Sequence, residues 1–213
     1  MKKTLVLFCS IIVLFSACKN SAMMIAGIRN PKIENKKSIL RFLKSIHQDT
    51  INTYSLDSNL FKSLCKEHFK PGWPPSFRPI QISAYNSNGK IVMKWASCEG
   101  FLKDLKTFDS VPPKNINGLD TTATLQEDLI RYFTLNGLPA NIHPLSGYDY
   151  YFVVYFAKYF PKLSRESFLQ IANYQARHPE LKINTYKINV DVNEFWGCDI
   201  AFKVEMGKKG GHK

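Results

Sequence analysis

The chain lacks the residue patterns that mark most familiar enzyme classes. No Cys-x-x-Cys pair, glycine-rich phosphate loop or Gly-x-Ser-x-Gly motif occurs in its 213 residues, and its five histidines show no metal-ligand spacing. Acidic residues are scarce, with 17 Asp and Glu against 29 Lys and Arg, for a formal net charge of +12. The sequence therefore indicates no cofactor and no metal. The basic balance favours either an anionic partner or a solvated basic surface.

Long apolar runs are also absent, apart from one at the N-terminus. A basic start at Met1–Lys3 precedes an apolar run over Leu5–Phe15, and small residues follow it. These are the parts of a secretory signal, so we expect residues 1–17 to be a signal peptide. The run is shorter than the roughly 20 residues of a spanning helix, although a membrane anchor helix is the alternative interpretation.

The end of this run, Leu14-Phe15-Ser16-Ala17-Cys18, resembles the lipobox of bacterial lipoproteins, with Phe15 in place of the usual aliphatic residue. The resemblance implies cleavage before Cys18, a diacylglycerol on its thiol and an acyl chain such as palmitate on its new amino group. Such chains anchor a domain to a membrane. Lys19 rather than Asp follows the cysteine, so an inner-membrane retention signal is absent. We expect a lipoprotein of the cell envelope, on the outer membrane and facing the periplasm.

The remainder is predicted to be an α/β domain behind a helical extension. The expected parts are the lipidated cysteine and tether at 18–34, a helical extension at 35–78, an α/β domain at 79–206 and a disordered tail at 207–213. Helices are predicted from Asn35 and from Ser58. A hairpin is predicted around Asn86–Gly89, and a capping box at Thr124 opens a further helix.

The C-terminal half has the clearest secondary-structure pattern. Tyr150–Ala157 is an almost unbroken aromatic and β-branched run, typical of a strand buried on both faces. Ser164 is predicted to cap the helix that follows. Lys182–Val190 alternates as a second strand does. The sequence therefore predicts a βαβ unit with parallel strands.

Within this unit, Tyr151–Leu163 resembles the active-site strand and turn of thioredoxin-like proteins, and Lys187–Asp191 resembles the end of the family's next strand. The resemblance implies a thioredoxin-like core in the C-terminal half, with the hairpin at Pro79–Ser97 supplying the preceding strands. Phe160 and Leu163 stand where the family's cysteines stand, and neither side chain supplies a thiolate. No proline follows Pro179, so the family's cis-proline is missing or rebuilt.

We therefore expect a non-catalytic domain that binds another protein or an envelope component, and no nucleic acid. The candidate binding residues are Tyr159, Phe160 and Pro161, because an apolar turn at this place suits a partner. The alternative is that the N-terminal helices cover the turn.

Three cysteines remain beyond Cys18, namely Cys65, Cys98 and Cys198. Two states of these cysteines are possible. Either two of them form a disulfide, for example Cys65–Cys98, and the third is a free thiol, or all three are buried thiols. Cys98 is the thiol candidate for catalysis, because it precedes a predicted helix whose amide dipoles lower a thiol pKa. The alternative function is thus a divergent thiol-disulfide enzyme that uses Cys98 with Cys65 or Cys198. Asp49, Asp57 and Asp191 are expected to cap helices.

Overall fold

The computed structural model describes residues 29, 31–68, 79–96, 111, 113, 123–144 and 146–197. These residues form a mixed α/β structure with a six-stranded sheet and four α-helices. The predicted signal peptide, Cys18 and the tail at 207–213 lie outside the described residues. None of the helices in the described ranges combines the length and the apolar character that crossing a bilayer requires.

The order of the elements along the chain matches the predicted pattern closely. They are α1 (Lys36–Ser45), β1 (Thr53–Ser55), α2 (Ser58–His68), β2 (Gln81–Asn86), β3 (Ile91–Ala96), α3 (Leu125–Leu129), β4 (Phe133–Thr134), β5 (Tyr150–Phe156), α4 (Pro161–Arg177), β6 (Ile183–Asn189) and a 3₁₀ turn (Glu194–Trp196). The helices near Asn35 and Ser58, the hairpin and the strand–helix–strand unit are confirmed. The Thr124 capping box is also confirmed, with both of its reciprocal hydrogen bonds present.

The sheet has the strand order β3-β2-β5-β6-β1-β4. Strands β5, β6 and β1 are parallel, whereas β2 lies antiparallel to β5 and β4 lies antiparallel to β1. Strand β1 was not predicted, because three residues are too few to show an alternating pattern. It lies within the segment expected to be a helical extension, and it pairs with the last three residues of β6.

Helices cover both faces of the sheet, so β5 is buried on both sides as predicted. Tyr151, Val153 and Tyr155 face the core under α2 and α3, and the alternate residues of β5 face the core under α1 and α4. Burial of each large apolar side chain contributes about 1.5–3 kcal/mol. The two cores therefore hold the strand ends in fixed positions.

The helix after β5 begins earlier than predicted. It starts at Pro161, whose fixed φ suits the first helical position, and Phe160 at the N-cap makes no side-chain capping bond. The prediction that Ser164 caps this helix is therefore wrong. The buried Ser164 hydroxyl instead accepts from the Ala157 amide at 3.0 Å and donates to the Ala157 carbonyl at 2.8 Å. It thus ties the first turn of α4 to the end of β5.

Candidate functional site

The chain leaves β1, β5 and β6 at one edge of the sheet, because these three strands are parallel. Open α/β sheets bind ligands outside this carboxyl edge. Four buried polar residues meet here, and we call them the carboxyl-edge network: Ser55, Asn189, Asp191 and Asn193. The turn that contains Tyr159, Phe160 and Pro161 borders them.

Asp191 is the centre of the carboxyl-edge network and is only 1% exposed. Its carboxylate accepts from the Lys158 amide at 2.9 and 3.0 Å and from the Tyr159 amide at 3.4 Å. The Asn189 side-chain amide donates a further bond at 2.7 Å. The prediction that Asp191 caps a helix is wrong, because these amides precede α4 and belong to the turn. Asp191 therefore joins the end of β6 to the turn after β5.

Asn193 and Ser55 extend the carboxyl-edge network to β1. The Asn193 amide nitrogen donates to the Ser55 hydroxyl and to the Asp191 carbonyl, both at 2.7 Å. The Ser55 hydroxyl lies 3.2 Å from the Asn189 carbonyl, to which it donates. The three parallel strands are thus linked at their ends by side chains as well as by the sheet.

Burial raises the pKa of Asp191 to about 6. The bonds from the Lys158 amide and Asn189 lower the pKa, and the nearby negative charge of Glu34 raises it. Desolvation is the largest of these effects.

The turn itself presents two adjacent aromatic side chains. The Tyr159 and Phe160 rings lie 4.7 Å apart between centroids, and both residues are half-buried against the core. The Arg29 amide donates to the Tyr159 carbonyl at 2.8 Å. The described residues before α1 (29 and 31–35), which we call the lead, are not helical. The lead contacts the turn through Arg29, and both rings remain partly exposed.

The lead is fixed at a second point by Glu34. Its carboxylate pairs with the Lys158 ammonium and accepts from the Ser38 hydroxyl. Its backbone bonds Val192 and Glu194 on the segment after β6, each at 2.8 Å. The lead, the turn and the exit of β6 thus form one connected edge.

A separate pocket of about 360 Å³ lies beside the first half of β6, where β1 does not extend. Lys187 is buried at its border and donates to the Asp49 carboxylate and to the Ile51 carbonyl, both at 2.8 Å. Asp49 therefore pairs with a strand lysine and does not cap a helix, contrary to the prediction. Asp57 does cap α2, since it accepts from the Leu60 amide at 2.6 Å.

A second buried polar cluster lies beneath α3. Tyr85 donates to Asp128 at 2.9 Å, Arg131 pairs with the same carboxylate, and the Tyr132 and Tyr155 hydroxyls are 3.0 Å apart. Burial raises the pKa of Tyr85 and of Tyr132 far above the ordinary value, and the Asp128 charge adds to the effect. These phenols remain protonated at neutral pH, and their hydrogen bonds connect α3 and the residues after it to β2 and β5.

The thiol candidates are not resolved by this geometry. Cys98 and Cys198 lie outside the described residues, and so does the side chain of Cys65 in α2. Their pairing and the thiol-enzyme alternative stay predictions. In the described ranges, no three His, Cys, Asp or Glu residues are arranged to hold a metal ion.

The carboxyl-edge network was missed by sequence reasoning, which singled out only Asp191 and gave it another role. The pattern that could have revealed it is the series of polar residues Asn189, Asp191 and Asn193 at the end of a buried strand, where the carboxyl ends of parallel strands meet.

Comparisons with protein-family models, characterised proteins and solved structures returned no match to the chain.

Proposed function

We propose that the chain is an envelope lipoprotein, held to its membrane by lipid on Cys18, whose thioredoxin-like domain is non-catalytic. This domain binds another protein or an envelope component through the turn Tyr159, Phe160 and Pro161. One observation carries the proposed binding role of the turn. Two half-exposed aromatic rings lie side by side on the turn, and the Asp191 and Ser164 side chains hold the backbone next to them in place through hydrogen bonds.

The thioredoxin-like assignment is supported by the neighbours of β5. The hairpin β2–β3, which was expected to supply strands of the core, lies antiparallel beside β5. It comes before the βαβ unit in the chain, whereas the closing hairpin of the family follows that unit. Pro79 precedes β2, two residues before Gln81, whose partner in β5 is Tyr155. The register thus places Pro79 beyond the end of β2 that lies beside the end of β5.

The non-catalytic assignment is supported by the residues at the start of α4. Phe160 and Leu163 occupy the dithiol positions and pack against the core. Neither residue carries a sulfur, so the turn has no nucleophile for disulfide exchange. Its chemistry is that of a small, ordered apolar surface, the kind of feature on which interface hot spots are built.

A photo-crosslinking experiment in intact cells tests this function. A benzoylphenylalanine in place of Phe160 preserves an aromatic side chain at the turn. We expect it to form a discrete crosslinked adduct that mass spectrometry identifies as a protein or an envelope component. The matched control places the same residue at Leu169 on α4, which is 48% exposed. Adducts of the same kind and yield at both positions would contradict a binding role for the turn.

The geometry of the turn has its own test. The F160C/L163C variant places thiols at the N-cap and third helical positions, whose side chains approach each other at a helix start. We expect a disulfide to form with glutathione disulfide as oxidant, and a lowered pKa for the thiol at position 160 beside the helix N-terminus. The Y159C/K162C variant keeps the spacing but moves one residue away from the helix. Equal behaviour of the two variants would count against the thioredoxin-like assignment.

A further inference from the structure

The outward face of α1 carries positive charge only. Lys36, Lys37, Arg41 and Lys44 are all exposed, and the ten-residue helix contains no Asp or Glu. Their spacing places them around Leu40 on one side of the helix. In the ranges that the structure describes, none of the four cations is within salt-bridge distance of a carboxylate.

The orientation of this face is fixed by the opposite side of the helix. Ile39 and Leu43 are fully buried against the sheet, and Asn35 caps the first turn through the Ser38 amide. Soluble surfaces normally intersperse charges of both signs. Four cations on one rigid face, with no anion on the helix, are complementary to a surface of negative charge.

The chain also keeps α1 close to the expected anchor. Arg29, the first described residue, is bonded to the Tyr159 carbonyl, and ten residues separate it from the expected lipidation position, Cys18. At about 3.3–3.6 Å per residue, this tether reaches no farther than about 40 Å. A tether of this length holds α1 at a high effective concentration near the bilayer.

We propose that the face formed by Lys36, Lys37, Arg41 and Lys44 lies on the anionic phospholipid headgroups of the membrane that holds Cys18. This inference rests on the proposed lipid anchor, and it adds an orientation that the anchor alone does not impose. Each cation near an anionic surface strengthens the association by about fivefold, and salt weakens it.

Lysine footprinting on the full chain tests the orientation. Protein purified from membranes is reconstituted in vesicles of phosphatidylcholine, alone or mixed with phosphatidylglycerol, and treated with a water-soluble acylating ester. We expect Lys36, Lys37 and Lys44 to react about fivefold more slowly in the phosphatidylglycerol vesicles, with the difference removed by salt. Lys90 and Lys182, which are exposed on other parts of the surface, are the internal controls. Equal rates in the two vesicles overturn the proposal, and so does protection in phosphatidylcholine alone.

Charge reversal gives the matched comparison. The R41E/K44E variant should lose the protection of Lys36 and Lys37, whereas R165E/K182E, with the same change in net charge at exposed positions, should keep it. Circular dichroism confirms that each variant is folded. Loss of protection in both variants, or in neither, refutes an effect of this particular face.

The mass of the N-terminal peptide separates the two proposals. An acylated Cys18 without phosphatidylglycerol-dependent protection supports the anchor and refutes the charged face. Protection in a chain that is held by an uncut leader, with no acyl group on Cys18, refutes the anchor and supports the charged face.

Discussion

Replacement of Asp191 by Asn should change how the stability of the protein depends on pH. In the folded state burial raises the pKa of Asp191 from 3.8 to about 6. Between these values the native carboxyl binds a proton that the unfolded chain has released. The contribution of Asp191 to the free energy of unfolding is therefore fully present below about pH 4 and is lost as the pH rises through about 6.

The size of this effect follows from the pKa difference. The rise in the pKa from 3.8 to about 6 corresponds to about 3 kcal/mol, which is large beside the total stability of a small domain. The amide of D191N does not titrate, so the variant lacks this dependence. The side-chain oxygen that this variant retains still accepts a hydrogen bond from the Lys158 amide. The NH₂ group of the variant, however, replaces an oxygen that accepts a hydrogen bond in the wild type, so two donors face each other in the carboxyl-edge network. We expect that conflict to cost about 1–3 kcal/mol at any pH.

Urea unfolding monitored by tryptophan fluorescence, from about pH 4 to about pH 7, measures both effects. The free energy of unfolding of the wild type, relative to D191N, should fall by about 3 kcal/mol across this range. Asp149→Asn, at an exposed carboxylate that accepts one backbone bond, controls for loss of one negative charge. A difference that is flat, or that grows with pH, would refute the conclusion that desolvation outweighs the hydrogen bonds at Asp191.

Three further predictions concern buried polar groups and the lipid anchor. Tyr85→Phe removes a donor from buried Asp128, and urea unfolding should show a loss of about 1–3 kcal/mol; an unchanged midpoint would contradict this. Asp49→Ala should lower the thermal midpoint more than Lys187→Met, because it leaves a buried ammonium without its counter-ion; the reverse order would refute a buried charge. Mass spectrometry of Cys18→Ser should give the mass of the uncut chain, whereas the wild type should lack residues 1–17 and carry acyl groups. If both proteins have the mass of an uncut, unacylated chain, apart from the substitution, the lipoprotein assignment is excluded.

The elements that sequence predicted well are those determined by neighbouring residues. The hairpin follows from the Asn86–Gly89 turn, where Gly89 has a φ of 71°, a value that glycine adopts without strain. Thr124 and Glu127 lie three residues apart, which is the spacing of a capping box. The strand at Tyr150–Phe156 is predicted because burial on both faces requires an apolar residue at every position.

The parts that sequence did not predict depend on contacts between distant segments. The partners of Asp191 at Lys158 and Tyr159 lie more than thirty positions earlier, and they meet it only because β5 and β6 are parallel and in register. A carboxylate after a strand looks locally like a helix cap. The bond between Arg29 and Tyr159 is equally nonlocal, since it joins two residues that lie 130 positions apart in the sequence.

The way the carboxyl-edge network uses its hydrogen bonds indicates what it does. The Asp191 carboxylate accepts hydrogen bonds from backbone amides of the turn. The Asn193 side chain donates to the Ser55 hydroxyl and to the Asp191 carbonyl, which follows β6. A buried carboxylate costs free energy unless such bonds compensate it. At Asp191 the hydrogen bonds that offset part of this cost come largely from backbone groups, whose positions the carboxylate fixes. Phe160, at the N-cap of α4, makes no side-chain capping bond. A turn held in this way loses little conformational freedom when it meets a partner, so its aromatic rings form a preorganised surface.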